Sequence, residues 1–334
     1  MSPTVFHAVR RRRAFSDEYS PIDRKGFFMT WYTYSLLAVL FWSGSDLFSK
    51  MSSKYEDKYS QFRIMAVLGI TMGLHAVFLL FTSESLKADP FRLINFWYYL
   101  PAGALYILSM VLGYIGLRYM VLSVSSPICN ASGVIEIILC WLLLGQTASL
   151  PAILSALLLT AAVVLLAVVE SKNPTDELQN GRRIHMTKKE ILLGLALPLA
   201  YCCLDAAGTI AETVMYDAGR MSEDAGSVAY ELMWLVIGIG SLIYLCAIKK
   251  QSLFKWPSKG SLIAQSVCET AGNYFYIYAI ATDYAILAEP MIGCYAVVSV
   301  LWGRLILKEK LTPKHYLCIA MALVGIALLG WFNE

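Results

Sequence analysis

The chain has 334 residues, of which 58% are apolar and only 15% charged, against about 25% charged in an ordinary soluble domain. That balance excludes a water-soluble globular protein of usual composition and points to the lipid bilayer. The formal net charge of +3 is too small, and too dispersed among short loops, to favour nucleic acid; no nucleic-acid partner is expected.

A bilayer core asks for roughly 20 mostly apolar residues per helix. Such windows fall at 31–50, 62–82, 95–116, 119–144, 149–169, 190–214, 226–248, 260–281, 284–307 and 314–333. The expected fold is therefore an all-α membrane protein of ten transmembrane helices. A polar basic tail, residues 1–30, precedes them, and a polar linker, residues 170–189, divides them. The tail carries Arg10 to Arg13 and no apolar run ahead of the first full-length span, so a cleaved signal peptide is not expected. Met29 offers a second possible start. The eight cysteines fall inside predicted spans without a C-x-x-C spacing, the pattern of reduced, buried apolar residues. Neither a metal nor a cofactor is expected.

In chain order, span one opens with Trp31, Tyr32 and Tyr34, aromatic rings suited to the headgroup level, and holds Trp42 and Asp46. Span two holds an isolated His75, which ordinarily packs and hydrogen-bonds rather than ligates. Span three carries Tyr106. Span four carries Pro127, Asn130 and a weak polar stripe of Ser125, Cys129, Ser132 and Glu136. On span six, Tyr201, Asp205, Thr209 and Glu212 share one helix face. Span seven holds Glu231. Span eight repeats the device of span six with Gln265, Glu269, Asn273 and Tyr276, and span nine contains Glu289 followed by Pro290.

Two alignments of the chain with itself agree. Pro290 lies 163 residues after Pro127, and Asp205 lies 159 residues after Asp46, which also sets Tyr201 on Trp42. The spans thus divide into two five-helix units, residues 31–169 and 190–334. An odd number of spans per unit turns the second unit over in the membrane and produces an inverted repeat, a plan used by transporters that alternate access around a midplane site. Pro127 and Pro290 each remove a helix hydrogen bond and kink their span. They are the candidate hinges.

Seven acids lie within or near the ends of the apolar windows: Asp46, Glu136, Asp205, Glu212, Glu231, Glu269 and Glu289. Each costs roughly 2.5–3.5 kcal/mol at a helix centre and so faces a partner or a wet cavity. Bases at similar depth are few, namely Lys50, Arg118 and Arg304, and Asp46 with Lys50 has pairing distance at i,i+4. A polar stripe in an apolar helix either lines water or binds helix to helix. Both readings stay open for every stripe.

The aromatic and small residues of Phe41 to Ser45 and Tyr201 to Cys203, the prolines at 127 and 290, and the turns LLLGQTASLP and LILKEKLTPK resemble the drug/metabolite transporter superfamily, of the type built from two EamA repeats. Glu309, Leu311 and Thr312 match the family's turn; Gln146 and Lys308 depart from it. The resemblance spans nearly everything from Trp31 onward. It implies an inverted-repeat, multi-pass transporter of the cell membrane, whose cavity is lined by spans one, three, four, six, eight and nine, with cytoplasmic termini. Charge runs against that orientation, because it places 9 Lys and Arg inside and 18 outside.

The acids, with Trp42, Tyr106, Tyr201 and Tyr276 able to hold a cation on a ring face, suggest a secondary active exporter of a small cationic or zwitterionic metabolite. Such a carrier couples to protons when its carboxylates load and release them. The expected binding or coupling residues are Glu289, Asp205, Glu269, Asp46, Trp42, Tyr201, Asn273, Tyr276, Tyr106, Glu136 and Asn130. The partners are a small solute, protons and the bilayer. The alternatives are an anion exchanger for sugar phosphates or nucleotide sugars, which needs Lys or Arg in the cavity, and a receptor or structural protein. An enzyme is not expected, since no G-x-S-x-G, H-E-x-x-H or glycine-rich phosphate loop occurs.

Overall fold

The computed structural model describes residues 30–52, 57–116, 139, 141–142, 149–172, 188–254, 259–281, 284–306 and 311–331. All regular secondary structure among them is helical. The helices are α1 (Trp31–Ser52), α2 (Ser60–Thr82), the single-turn α3 (Glu84–Ala88), α4 (Leu93–Gly116), α5 (Leu150–Lys172), α6 (Lys188–Asp217), α7 (Glu223–Ile243), α8 (Lys259–Ile280), α9 (Ala285–Gly293), α10 (Tyr295–Ile306) and α11 (Pro313–Trp331). Window 119–144 falls outside the described residues apart from three positions, and with it Pro127, Asn130 and Glu136. Most of the tail and linker also lies outside.

By length and composition, three segments are long and apolar enough to cross a bilayer: Ser60–Thr82, Leu93–Ile115 and Glu223–Ile248. Shorter apolar stretches lie in α5, α10 and α11. Large apolar side chains point outward, among them Leu74, Phe78 and Phe81 of α2, Val236 of α7 and Leu317 of α11. An exterior of this kind suits lipid rather than water.

Local sequence sets the helix ends. Ser83 accepts from the backbone N of Leu86 at 3.1 Å and Ser222 from Ala225 at 3.3 Å, so each caps a helix. Glu223 and Asp224 then occupy the first turn of α7, where negative charge meets the positive end of the helix dipole. α7 finishes in a π-turn, Tyr244–Ile248. Span nine is in two pieces. Pro290 lies inside α9, and the helix breaks at Cys294, whose N reaches back to Met291 O at 3.2 Å and whose Sγ contacts Pro290 O at 3.4 Å. The interruption comes one turn after the proline. No disulfide joins the described cysteines.

The main helix pairs are α1 with α8, α2 with α7, α4 with α6 and α5 with α11. Glycine allows three of these to close up. A Cβ at Gly69 would stand 2.3 Å from Trp234 O and 2.6 Å from Gly238 Cα, and one at Gly238 would stand 2.8 Å from Gly69 Cα and 3.2 Å from Met65 O. Backbone therefore touches backbone where α2 crosses α7, the close approach that small residues permit between membrane helices. Between α1 and α8, Gly272 makes room for Trp42; between α4 and α6, Gly113 makes room for Tyr201. The starts of α1 and α9 meet through stacked Trp31 and Tyr284, 5.7 Å apart, and Tyr32 donates to Ile326 O of α11 at 3.1 Å. The two ends of the described chain lie at the same end of the bundle.

Candidate transport site

Trp42 sits where α8 lacks a side chain: a Cβ at Gly272 would come within 2.3 Å of the indole Cδ1. The indole lies 5.0 Å from the Tyr276 ring, tilted by 36°, and 5.6 Å from Tyr295 of α10 at 62°. From Tyr276 the contacts pass into the other helix pair. Its Oη is 2.7 Å from Tyr106 Oη and 3.0 Å from Thr209 Oγ1, and Tyr106 Oη donates to Thr209 Oγ1 at 3.1 Å. Three buried hydroxyls thus join α4, α6 and α8, with Trp42 of α1 stacked on their edge.

One turn further along α1, Ser45 donates to Glu269 Oε2 at 2.6 Å, and Gln265 Nε2 donates to Ser45 Oγ at 3.3 Å. Ser299 of α10 donates to Asp46 Oδ2 at 2.9 Å, and Trp302 Nε1 donates to Ser43 Oγ at 3.0 Å. Asp46 is near enough for its charge to act on Glu269. No Lys or Arg stands within ion-pair distance of Glu269 among the described residues. Among the described residues, this carboxylate is held by the Ser45 hydroxyl.

Asp46, Asp205 and Glu269 are half-buried, whereas Glu212 and Glu231 are 0% exposed. The sealed pair has its own partners. Glu212 accepts from Tyr99 at 2.6 Å and from Tyr216 at 3.2 Å. Glu231 meets His75 Nδ1 at 2.6 Å. Near the start of α7, Asp224 accepts from Ser83 and from Tyr278, both at 2.5 Å. These contacts tie helix to helix, one of the two readings open for the stripes.

Of the residues singled out from sequence, Trp42, Asp46, Tyr106, Glu269 and Tyr276 come together here. Asn273 is buried on the Glu269 face of α8, and its Nδ2 has no hydrogen-bond partner among the described residues, as is true of Trp42 Nε1. Buried polar atoms left unmet are few in native interiors, and a polar solute would satisfy them. Asp205 lies one turn from Thr209, whose Oγ1 donates to its carbonyl at 3.2 Å. Tyr201 packs against Gly113 of α4. Glu289 takes its place in the backbone of α9, its side chain outside the described set.

Sequence reading passed over Tyr295, Ser299 and Trp302, although their i, i+4, i+7 spacing is the same signal that marked spans six and eight. It also passed over Tyr230. That residue is 3% exposed, within 6.1 Å of the Tyr106 ring, and within electrostatic reach of Glu269, Glu212 and Asp205.

The sequence pattern of the EamA-like transporter family matches residues 29–168 and 214–331. The chain belongs to the EamA-like transporter family. This makes it a membrane transporter of the drug/metabolite superfamily. Among curated proteins it is similar to the probable 4-amino-4-deoxy-L-arabinose-phosphoundecaprenol flippase subunit ArnE of Pseudomonas savastanoi pv. phaseolicola (strain 1448A / Race 6). The identity is 26% over 137 residues, which is 40% of this chain and 92% of that protein. A crystal structure of a protein given no further description superposes with a TM-score of 0.61 at 15% identity, covering 89% of this chain and 95% of that one. At that identity the likeness between the two chains is one of fold.

Proposed function

We infer that this EamA-like protein is a proton-coupled secondary transporter. It exports a small cationic or zwitterionic metabolite by alternating access between two inverted five-helix units. The observation that carries the cargo reading is Glu269: a half-buried carboxylate held by Ser45, beside Asp46, with no basic partner among the described residues. Trp42, one turn from Ser45 along α1, and Tyr276, two turns from Glu269 along α8, add ring faces to which an amine binds. The cargo named for the Pseudomonas relative shares the amine of this class but carries it on a phosphate-linked polyprenol lipid.

Reciprocal contacts support the inverted plan. Tyr201 follows Trp42 by 159 residues and Gly272 follows Gly113 by 159, and it is Trp42 that packs on Gly272 while Tyr201 packs on Gly113. An operation exchanging the halves turns one contact into the other. The α2–α7 crossing behaves alike, since Trp234 follows Met65 and Gly238 follows Gly69 by the same 169 residues. The pairs α1 with α8 and α4 with α6 exchange likewise, which is the pattern of a twofold relating spans one to five and six to ten.

In this mechanism Asp46, Asp205, Glu269 and Glu289 bind cargo or proton in turn. Trp42, Tyr106, Tyr201, Asn273 and Tyr276 shape the chamber, and the halves rock about their crossing to open it to either side. Purified protein in proteoliposomes, screened with labelled amines and amino acids under an imposed proton gradient, tests it. Saturable, gradient-driven flux is expected, and flux unchanged by neutralising Asp46, Asp205 and Glu269 to amides together would defeat the assignment.

A further inference from the structure

One end of the bundle, where α1 and α7 close and α2 and α8 open, is basic. Lys58, Lys249, Lys250 and Lys259 stand there, and none has a carboxylate within ion-pair distance among the described residues. Three of the ammonium groups instead lie over rings: Lys58 is 5.1 Å from Tyr59, Lys249 is 5.3 Å from Tyr244 and Lys259 is 5.5 Å from Phe254. A ring face positions a cation without cancelling its charge.

Aromatic and arginine contacts fuse these segments into one surface. Phe62 packs on Tyr244 with centroids 4.6 Å apart. Arg63, the next residue, donates Nε to Ser252 O at 3.0 Å and pairs with Asp57 through Nη1. Its side chain is 2% exposed, and Nη2 has no partner among the described residues. Lys250 is placed at a cost. It follows the π-turn at φ +52, where Gln251 N reaches back to Leu245 O at 3.0 Å, a helix-ending position that normally goes to glycine. Ile243 and Ile248 are exposed immediately beneath, so the charges ride at the boundary between apolar wall and water.

We propose that this rim binds the phosphate of an anionic phospholipid headgroup, with Lys249, Lys250, Lys58 and Lys259 around it and Arg63 Nη2 as the inner donor. A lipid fits better than a soluble anion because the apolar wall of Ile243 and Ile248 continues from the charges toward where acyl chains lie. Basic groups next to a membrane surface attract such lipids.

The test uses full-length protein in neutral detergent, with thermal unfolding followed by fluorescence and bound lipid counted by native mass spectrometry. Phosphatidylglycerol is expected to raise the unfolding midpoint by about 3 °C and to stay bound, whereas phosphatidylcholine and inorganic phosphate are expected to do neither. The double variant Lys249→Ala with Lys250→Gly is expected to fold, since glycine relieves the strain at position 250, and to lose most of that shift. Lys250→Gly alone is expected to lose part of it. A full shift in the double variant overturns the site. An equal shift with phosphatidylcholine overturns headgroup recognition, and an equal shift with inorganic phosphate overturns the lipid as occupant.

Discussion

Trp42 fills the hollow left by the missing side chain of Gly272, the indole Cδ1 standing 2.3 Å from where a Cβ would be. Gly272→Ala must push the ring off Tyr276 and so disturb the ring face offered to cargo. Overpacking of this sort costs roughly 1–3 kcal/mol. The expected outcome is a raised KM and a lowered unfolding midpoint. Gly113→Ala, whose Cβ would meet Tyr201 at 3.1 Å, should be milder on both. Flux and thermal unfolding measured on the two variants side by side check the order.

Glu269→Gln should abolish proton-driven flux while leaving the fold intact, because glutamine still accepts from Ser45. Ser45→Ala removes a hydrogen bond to a charged group, worth about 1.5–3 kcal/mol, and should weaken cargo binding by roughly tenfold or more. If Ser45→Ala transports normally with unchanged KM, the serine does not position the carboxylate.

The hydroxyl ring of Tyr106, Tyr276 and Thr209 should show coupling. Tyr106→Phe and Tyr276→Phe each remove one donor, for about 1 kcal/mol. The double variant should lose less than the sum, since the two oxygens are 2.7 Å apart and share a bond. A double-mutant cycle on unfolding midpoints reads this directly, and strict additivity would deny the contact.

The all-helical, apolar character of the chain was legible because apolar runs need no partner to be recognised. Setting Asp205 on Asp46 also set Tyr201 on Trp42, and both rings pack on glycines of the opposite half. Those glycines carried no signal, since a residue without a side chain leaves no periodic trace. The stripe Tyr201, Asp205, Thr209, Glu212 was visible, but its division of labour was not. Only packing separates the half-buried Asp205 from Glu212, which Tyr99 and Tyr216 cover. The break in span nine followed from Pro290. The five-residue α3, capped by Ser83, was too short for any window to register.

Charge distribution predicts which way the chain faces. Lys58, Arg63, Lys249, Lys250 and Lys259 share one end of the bundle, and the starts of α1 and α9 and the end of α11 share the other. Positive loops stay in the cytoplasm, so the chain termini should lie on the opposite side, reversing the family's habit. A C-terminal alkaline phosphatase fusion should be active and a C-terminal green fluorescent protein fusion dark. The converse pair of results would restore cytoplasmic termini.

Where α2 crosses α7, Gly69 and Gly238 leave no room for a methyl on either strand of the contact. Duplicated segments in one polypeptide are ordinarily free to drift apart, since a change in one is tolerated by its twin. At this crossing each glycine is the other's wall, so a side chain gained at either position alone forces the two helices apart.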